Sequence, residues 1–86
     1  MIIFTKHAEY KFLILKKHKF SISKKQVLDT VGNPDLIDQS RSPLLIAQQK
    51  IDRDHVLRVV YKQENERKIL KIITFYPGRR KDYEKK

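Results

Sequence analysis

"HVLRVVYKQENERKILKIITFY", residues 55–76, is the stretch whose reading decides the fold. Two runs rich in β-branched and aromatic residues, "HVLRVVYKQ" and "KILKIITFY", flank the polar segment "ENER". Strands joined by so short a polar turn pair antiparallel, so the stretch predicts a hairpin. Upstream, "LLIAQQK" reads as a further strand and "DLIDQ" as a short one, which extends the hairpin into a meander. Downstream, Pro77-Gly78 predicts a turn, and the basic tail "PGRRKDYEKK" follows from about residue 77.

The grammar changes on the N-terminal side of Pro34. In "FSISKKQVLDTVGNPDLI" the spacing of Ser23 and Gln26 is that of a capping box, and Ile22 and Val27 are placed as the hydrophobic staple around it. A helix over about 24–31 follows, with Val27, Leu28 and Val31 as its buried stripe, Gly32 as a left-handed C-cap and Pro34 as the stop. Before it, "HAEYKFLILKKHK" repeats Ala8, Phe12 and Leu15 at near-helical spacing, which predicts a first helix over about 7–18. "IIFT" reads as an opening strand. The expected architecture is α+β: one domain over residues 1–86, two N-terminal helices packed on a twisted antiparallel sheet.

Charge narrows the partners. Twenty Lys+Arg stand against ten Asp+Glu, for a net charge of +10. Residues 1–25 carry seven bases and one acid, whereas residues 26–49 carry one base and three acids. From residue 50 onward bases again dominate, so a one-sided basic patch forms if the two ends meet in space. A field of that sign suits polyanions, nucleic acid above all. The plainer alternative is a lysine-rich solvated surface. With no cysteine there is neither a disulfide nor a thiolate metal site. No apolar run approaches the roughly 20 residues of a membrane span, and a cytoplasmic location is expected. His7, His18 and His55 lack metal-ligand spacing, and Gly32 and Gly78 cannot make a phosphate loop, so neither metal nor cofactor is expected.

Bases and aromatics on the strands remain. Arg58 stands among Leu57, Val59 and Val60, where a guanidinium needs a partner, a cleft or an open sheet face. Thr74 and Tyr76 share one face of the last strand by alternation, and the register through the turn decides whether Arg58 joins them. His7 and Lys11 are neighbours one helical turn apart, either as a solvated pair or as acid–base and phosphate groups. Tyr76 and Tyr83 can stack on unpaired bases while Arg79, Arg80 and Lys81 grip phosphates; a charged solubilising tail is the alternative.

The blocks "HA", "IS…V…NPD" and "RVVY…IT.YP" together resemble a family of small domains related to the BrnT toxins, within the wider RelE/ParE toxin superfamily. The resemblance extends to about Tyr76. It implies two helices against a twisted antiparallel sheet. For toxin members it implies a metal-independent endoribonuclease acting on mRNA, neutralised by a cognate antitoxin in a type II toxin–antitoxin system. By resemblance the family's histidine falls on His7, its helix base on Lys11, its strand arginine on Arg58, and its last-strand threonine and tyrosine on Thr74 and Tyr76. A second helix-one arginine is replaced by the Leu15-Lys16-Lys17 stretch. The expectation is therefore an endoribonuclease with His7, Arg58, Tyr76 and Arg79 as catalytic residues. Lys11, Thr74, Arg80, Lys81 and Tyr83 would bind RNA, on or off the ribosome, and an acidic antitoxin would be the protein partner. The alternative is a non-catalytic RNA-binding or protein-interaction module on the same fold.

Overall fold

The computed structural model describes residues 1–18, 21–64 and 69–83. Its elements are β1 (Ile2–Phe4), α1 (Lys6–Lys17), α2 (Lys24–Gly32), β2 (Leu36–Asp38), β3 (Leu45–Lys50), β4 (His55–Glu64), β5 (Ile69–Arg79) and the one-turn α3 (Arg80–Tyr83). The predicted turn around "ENER" falls largely on 65–68, outside the described residues, as do the last three residues of the tail.

The strands form one sheet in the order β1-β5-β4-β3-β2. From β2 to β5 it is the expected antiparallel meander. β1 departs from it by pairing parallel with β5, Ile2 opposite Leu70 and Phe4 opposite Ile72, so the sheet is mixed rather than wholly antiparallel. Thr5 accounts for that placement. Its N–H donates to the Ile72 carbonyl and its hydroxyl to the Ile73 carbonyl, both at 3.0 Å. The same hydroxyl accepts from the Ala8 N–H and caps α1. One side chain thus ties the opening strand to the closing one and starts the helix.

Alternation divides the sheet into two faces. On one, Leu57, Val59 and Tyr61 of β4, Ala47 of β3, and Ile72 and Phe75 of β5 are buried with Ala8 of α1 and Val27 of α2. Phe12 packs on Phe75 with ring centroids 4.5 Å apart, so both helices lie on this face. The capping box of α2 is present in both directions, and the staple residues Ile22 and Val27 are buried together. Two details of that helix differ from expectation. Its buried stripe runs Val27, Thr30, Val31, whereas Leu28 is 39 % exposed. Thr30 tolerates burial because its hydroxyl donates to the Gln26 carbonyl at 2.7 Å. Gly32 is the last helical residue rather than a left-handed cap, and no described glycine has positive φ. Asn33 closes the helix, its N–H on the Asp29 carbonyl at 2.8 Å.

The predicted turn at Pro77-Gly78 is also corrected. β5 runs through both residues, with Pro77 opposite Leu57 and Gly78 opposite Val56. Proline is tolerated because β1 covers β5 only at residues 70–72, so at Pro77 the strand is an edge and the missing N–H breaks no ladder bond. The chain turns only at Arg80, whose N–H donates to the Asp54 carbonyl at 2.8 Å.

Candidate functional site

The register answers the question that the sequence left open. Arg58 lies directly opposite Tyr76 on β5 and Gln48 on β3, so the three side chains form a row on the sheet face that α1 and α2 do not cover. A bulge between Val60 and Tyr61 displaces Ile73, and without it Thr74 and Tyr76 would face the other way relative to Lys71. Arg58 is only 5 % exposed. Each of its guanidinium nitrogens donates to a different acceptor: Nε to the Tyr76 hydroxyl at 3.0 Å, Nη1 to Gln48 Oε1, and Nη2 to Asp38 Oδ2 at 2.9 Å. Burial acts to lower the guanidinium's pKa, but the bonds to Tyr76 and Asp38 outweigh it and raise the value above the ordinary one. The Asp38 carboxyl is held down at about 2, first by Ser40, through its side chain and its backbone N–H, and then by Arg58. Arg58 is therefore a junction of β2, β3, β4 and β5, with one hydrogen bond made by each of its three guanidinium nitrogens.

α3 folds the C-terminus back onto this junction. The Tyr83 ring centroid lies 4.2 Å from Arg58 Cζ, closer than that of Tyr76 at 5.9 Å. Gly78 makes the approach possible, because a Cβ there would clash with the Tyr83 ring at Cε2 and Cδ2. Two other bases of the segment point elsewhere. Arg79 sits opposite His55, and alternation puts it on the reverse face from Tyr76. Arg80 donates from Nη1 to the Arg53 carbonyl at 3.0 Å and so braces the loop before β4. Lys81 is exposed.

Two residues that the sequence reading passed over join the open face. Lys62 of β4 and Lys71 of β5 are direct cross-strand partners, with the exposed Ile3 of β1 beside Lys71. Neither lysine forms an ion pair with a described residue. Like charges set opposite each other destabilise a sheet by roughly 0.2–1 kcal/mol, so the arrangement disfavours the fold slightly while concentrating positive charge. Counting by twos from Arg58 along β4 reaches Lys62, but matching it to Lys71 requires the bulge. Along the open face the order is thus Lys62 with Lys71, then Thr74, then Tyr76 with Arg58, then Tyr83.

His7 and Lys11 are not part of this row. They belong to α1, which packs on the opposite face through Ala8 and Phe12. His7 is exposed there. The sheet therefore separates the helix candidates from Arg58 and Tyr76 and brings together Arg58, Thr74, Tyr76 and Tyr83. No family model, curated protein or solved structure matches the chain. Among the described residues no group of three or more His, Cys, Asp or Glu side chains gathers as a metal site, and no helix is long and apolar enough to cross a membrane.

Proposed function

We propose that this chain is an RNA-binding domain that takes a single strand along the open face of its sheet. The observation that carries the reading is the pair Lys62 and Lys71, free of ion pairs with described residues and in line with Thr74, Tyr76 and Tyr83. Phosphates would pass the lysines, and an unpaired base would meet the tyrosines at the other end. A net charge of +10 draws the strand in. The test is fluorescence anisotropy with a labelled single-stranded RNA across a salt series. Lys62→Ala with Lys71→Ala should weaken binding and reduce the salt slope by about 0.7 for each phosphate no longer neutralised. An unchanged slope would remove the reading.

The toxin reading adds a reaction on the same face, and the Arg58–Tyr76 bond is what favours it. The Tyr76 hydroxyl accepts from Arg58 Nε, which leaves its own proton free to be donated. In metal-independent cleavage the ribose 2′-hydroxyl gives its proton to water and attacks the adjacent phosphorus. The bond to the 5′ oxygen breaks, that oxygen takes a proton, and a 2′,3′-cyclic phosphate remains. Tyr76 would supply the departing proton and recover it from solvent, a contribution of typically about 10²–10⁴-fold. Arg58 would act through Tyr76 rather than on the phosphate. In this reading the domain is a cytoplasmic mRNA endoribonuclease of a toxin–antitoxin pair, neutralised by an acidic partner. Inducible expression of wild type and Tyr76→Phe with transcriptome-wide mapping of 5′ ends decides it. New ends in coding regions with wild type alone support cleavage. Their absence, with RNA affinity intact, leaves the binding module.

A further inference from the structure

α1 carries a second apolar stripe that the domain core does not use. Ala8, Phe12 and Leu15 face the sheet, whereas Tyr10, Leu13, Ile14 and the stem of Lys17 follow the i, i+3, i+4, i+7 spacing on the far side of the helix. Tyr10 and Leu13 are each 59 % exposed. Together with Lys16 these residues line an open groove of about 360 Å³. The spacing is that of a helix-in-groove contact, in which a partner helix lays its own apolar stripe along the seam.

Charge selects the occupant. The only acid of α1, Glu9, is engaged by Lys24 at 3.0 Å, so Lys16 and Lys17 at the groove's end meet no acid from their own helix. A second copy of the chain would bring the same lysines and another +10 to the seam, which opposes self-association here. We infer that the outer stripe of α1 docks an acidic amphipathic helix of a partner protein, with apolar anchors on Tyr10, Leu13 and Ile14 and carboxylates on Lys16 and Lys17. The stripe lies on the side of the domain away from the RNA face, so this inference stands independently of the proposed RNA binding.

The probe is a synthetic acidic helical peptide of Leu and Glu in heptad spacing, about 14 residues long. At about 1.5 Å per residue that is enough to span the 12 residues of α1. A scrambled peptide of the same composition has the same charge and no stripe. Anisotropy titration against the full chain should show at least tenfold tighter binding of the striped peptide. Leu13→Glu, at an exposed position, should abolish that preference with thermal unfolding and RNA affinity unchanged. Lys16→Glu with Lys17→Glu should weaken the striped peptide and flatten its salt dependence. Equal affinity for the two peptides, or a preference that survives Leu13→Glu, overturns the inference. So does Leu13-dependent binding to anionic phosphatidylglycerol vesicles without a peptide preference, or a Leu13-dependent dimer in sedimentation velocity.

Discussion

The two faces of the sheet solve the same burial problem with different chemistry. Under α1 and α2, Phe75, Leu57, Val59 and Ile72 are sealed by apolar side chains, where shape alone suffices. On the open face β4 places Arg58 at nearly the same depth, and there each guanidinium nitrogen is answered individually, by Tyr76, Gln48 and Asp38. An apolar residue removed from the first face leaves a cavity. A partner removed from the second leaves a charge, which is costlier per atom but relieved by water that can reach the half-buried Tyr76 and Asp38. The difference teaches which face can change its partners. The covered face is committed to the fold, and the open one holds polar groups that a ligand could re-engage.

The comparison is sharpest at Phe75. Phe75→Ala should cost about 3–5 kcal/mol, measured by urea unfolding, because the ring is fully buried against Phe12. A loss below that of Arg58→Ala would reverse the ranking of the two faces. Arg58→Ala should itself cost about 2–3 kcal/mol, less than a fully buried broken pair, because Asp38 is partly solvated. If Arg58→Ala unfolds no more readily than a surface variant, the junction is not structural and its donors are available to a ligand.

Acid separates the faces in another way. The Asp38 carboxyl titrates near 2 in the fold against an ordinary value near 3.8, so its contribution is present above the ordinary value and is lost as pH falls toward 2. The stability difference between wild type and Asp38→Asn, followed by urea midpoints from pH 5 down to pH 2, should therefore narrow. A difference independent of pH over that range would mean that Ser40 and Arg58 do not hold the carboxylate. The smallest effect is expected at Lys62→Ala, which relieves the repulsion from Lys71 and should raise stability by a few tenths of a kcal/mol while lowering RNA affinity. A variant that loses stability and keeps its affinity would place Lys62 with the fold rather than with a ligand.

Local chemistry was enough for much of this. The capping box at Ser23 and Gln26, the Ile22–Val27 staple and the four meander strands depend on neighbours within a few residues, and they are readable as spacing. Arg58, Thr74 and Tyr76 were legible as residue types, whereas Gln48 and Asp38 join Arg58 only through strand pairing, and the pairing with Tyr76 hung on a bulge that no local pattern marks. Pro77-Gly78 has the composition of a turn, yet forms strand because β1 stops short of it and leaves an edge that proline can occupy. Gly78 is needed for its missing side chain rather than for a turn, since Tyr83 passes over it to reach Arg58.

By itself, then, the sequence determined the two long helices, the strands as far as Tyr76, the basic character and Arg58, Thr74, Tyr76 and Tyr83 as candidate side chains, because each follows from composition and short-range periodicity. The tertiary structure alone decided which of those side chains meet. β1 joined β5 in parallel, the helices took one face with His7 and Lys11, and Arg58, Thr74 and Tyr76 were left together on the other. The physical reason is that alternation assigns a face only after register is set, and register is set by contacts between residues far apart in the chain.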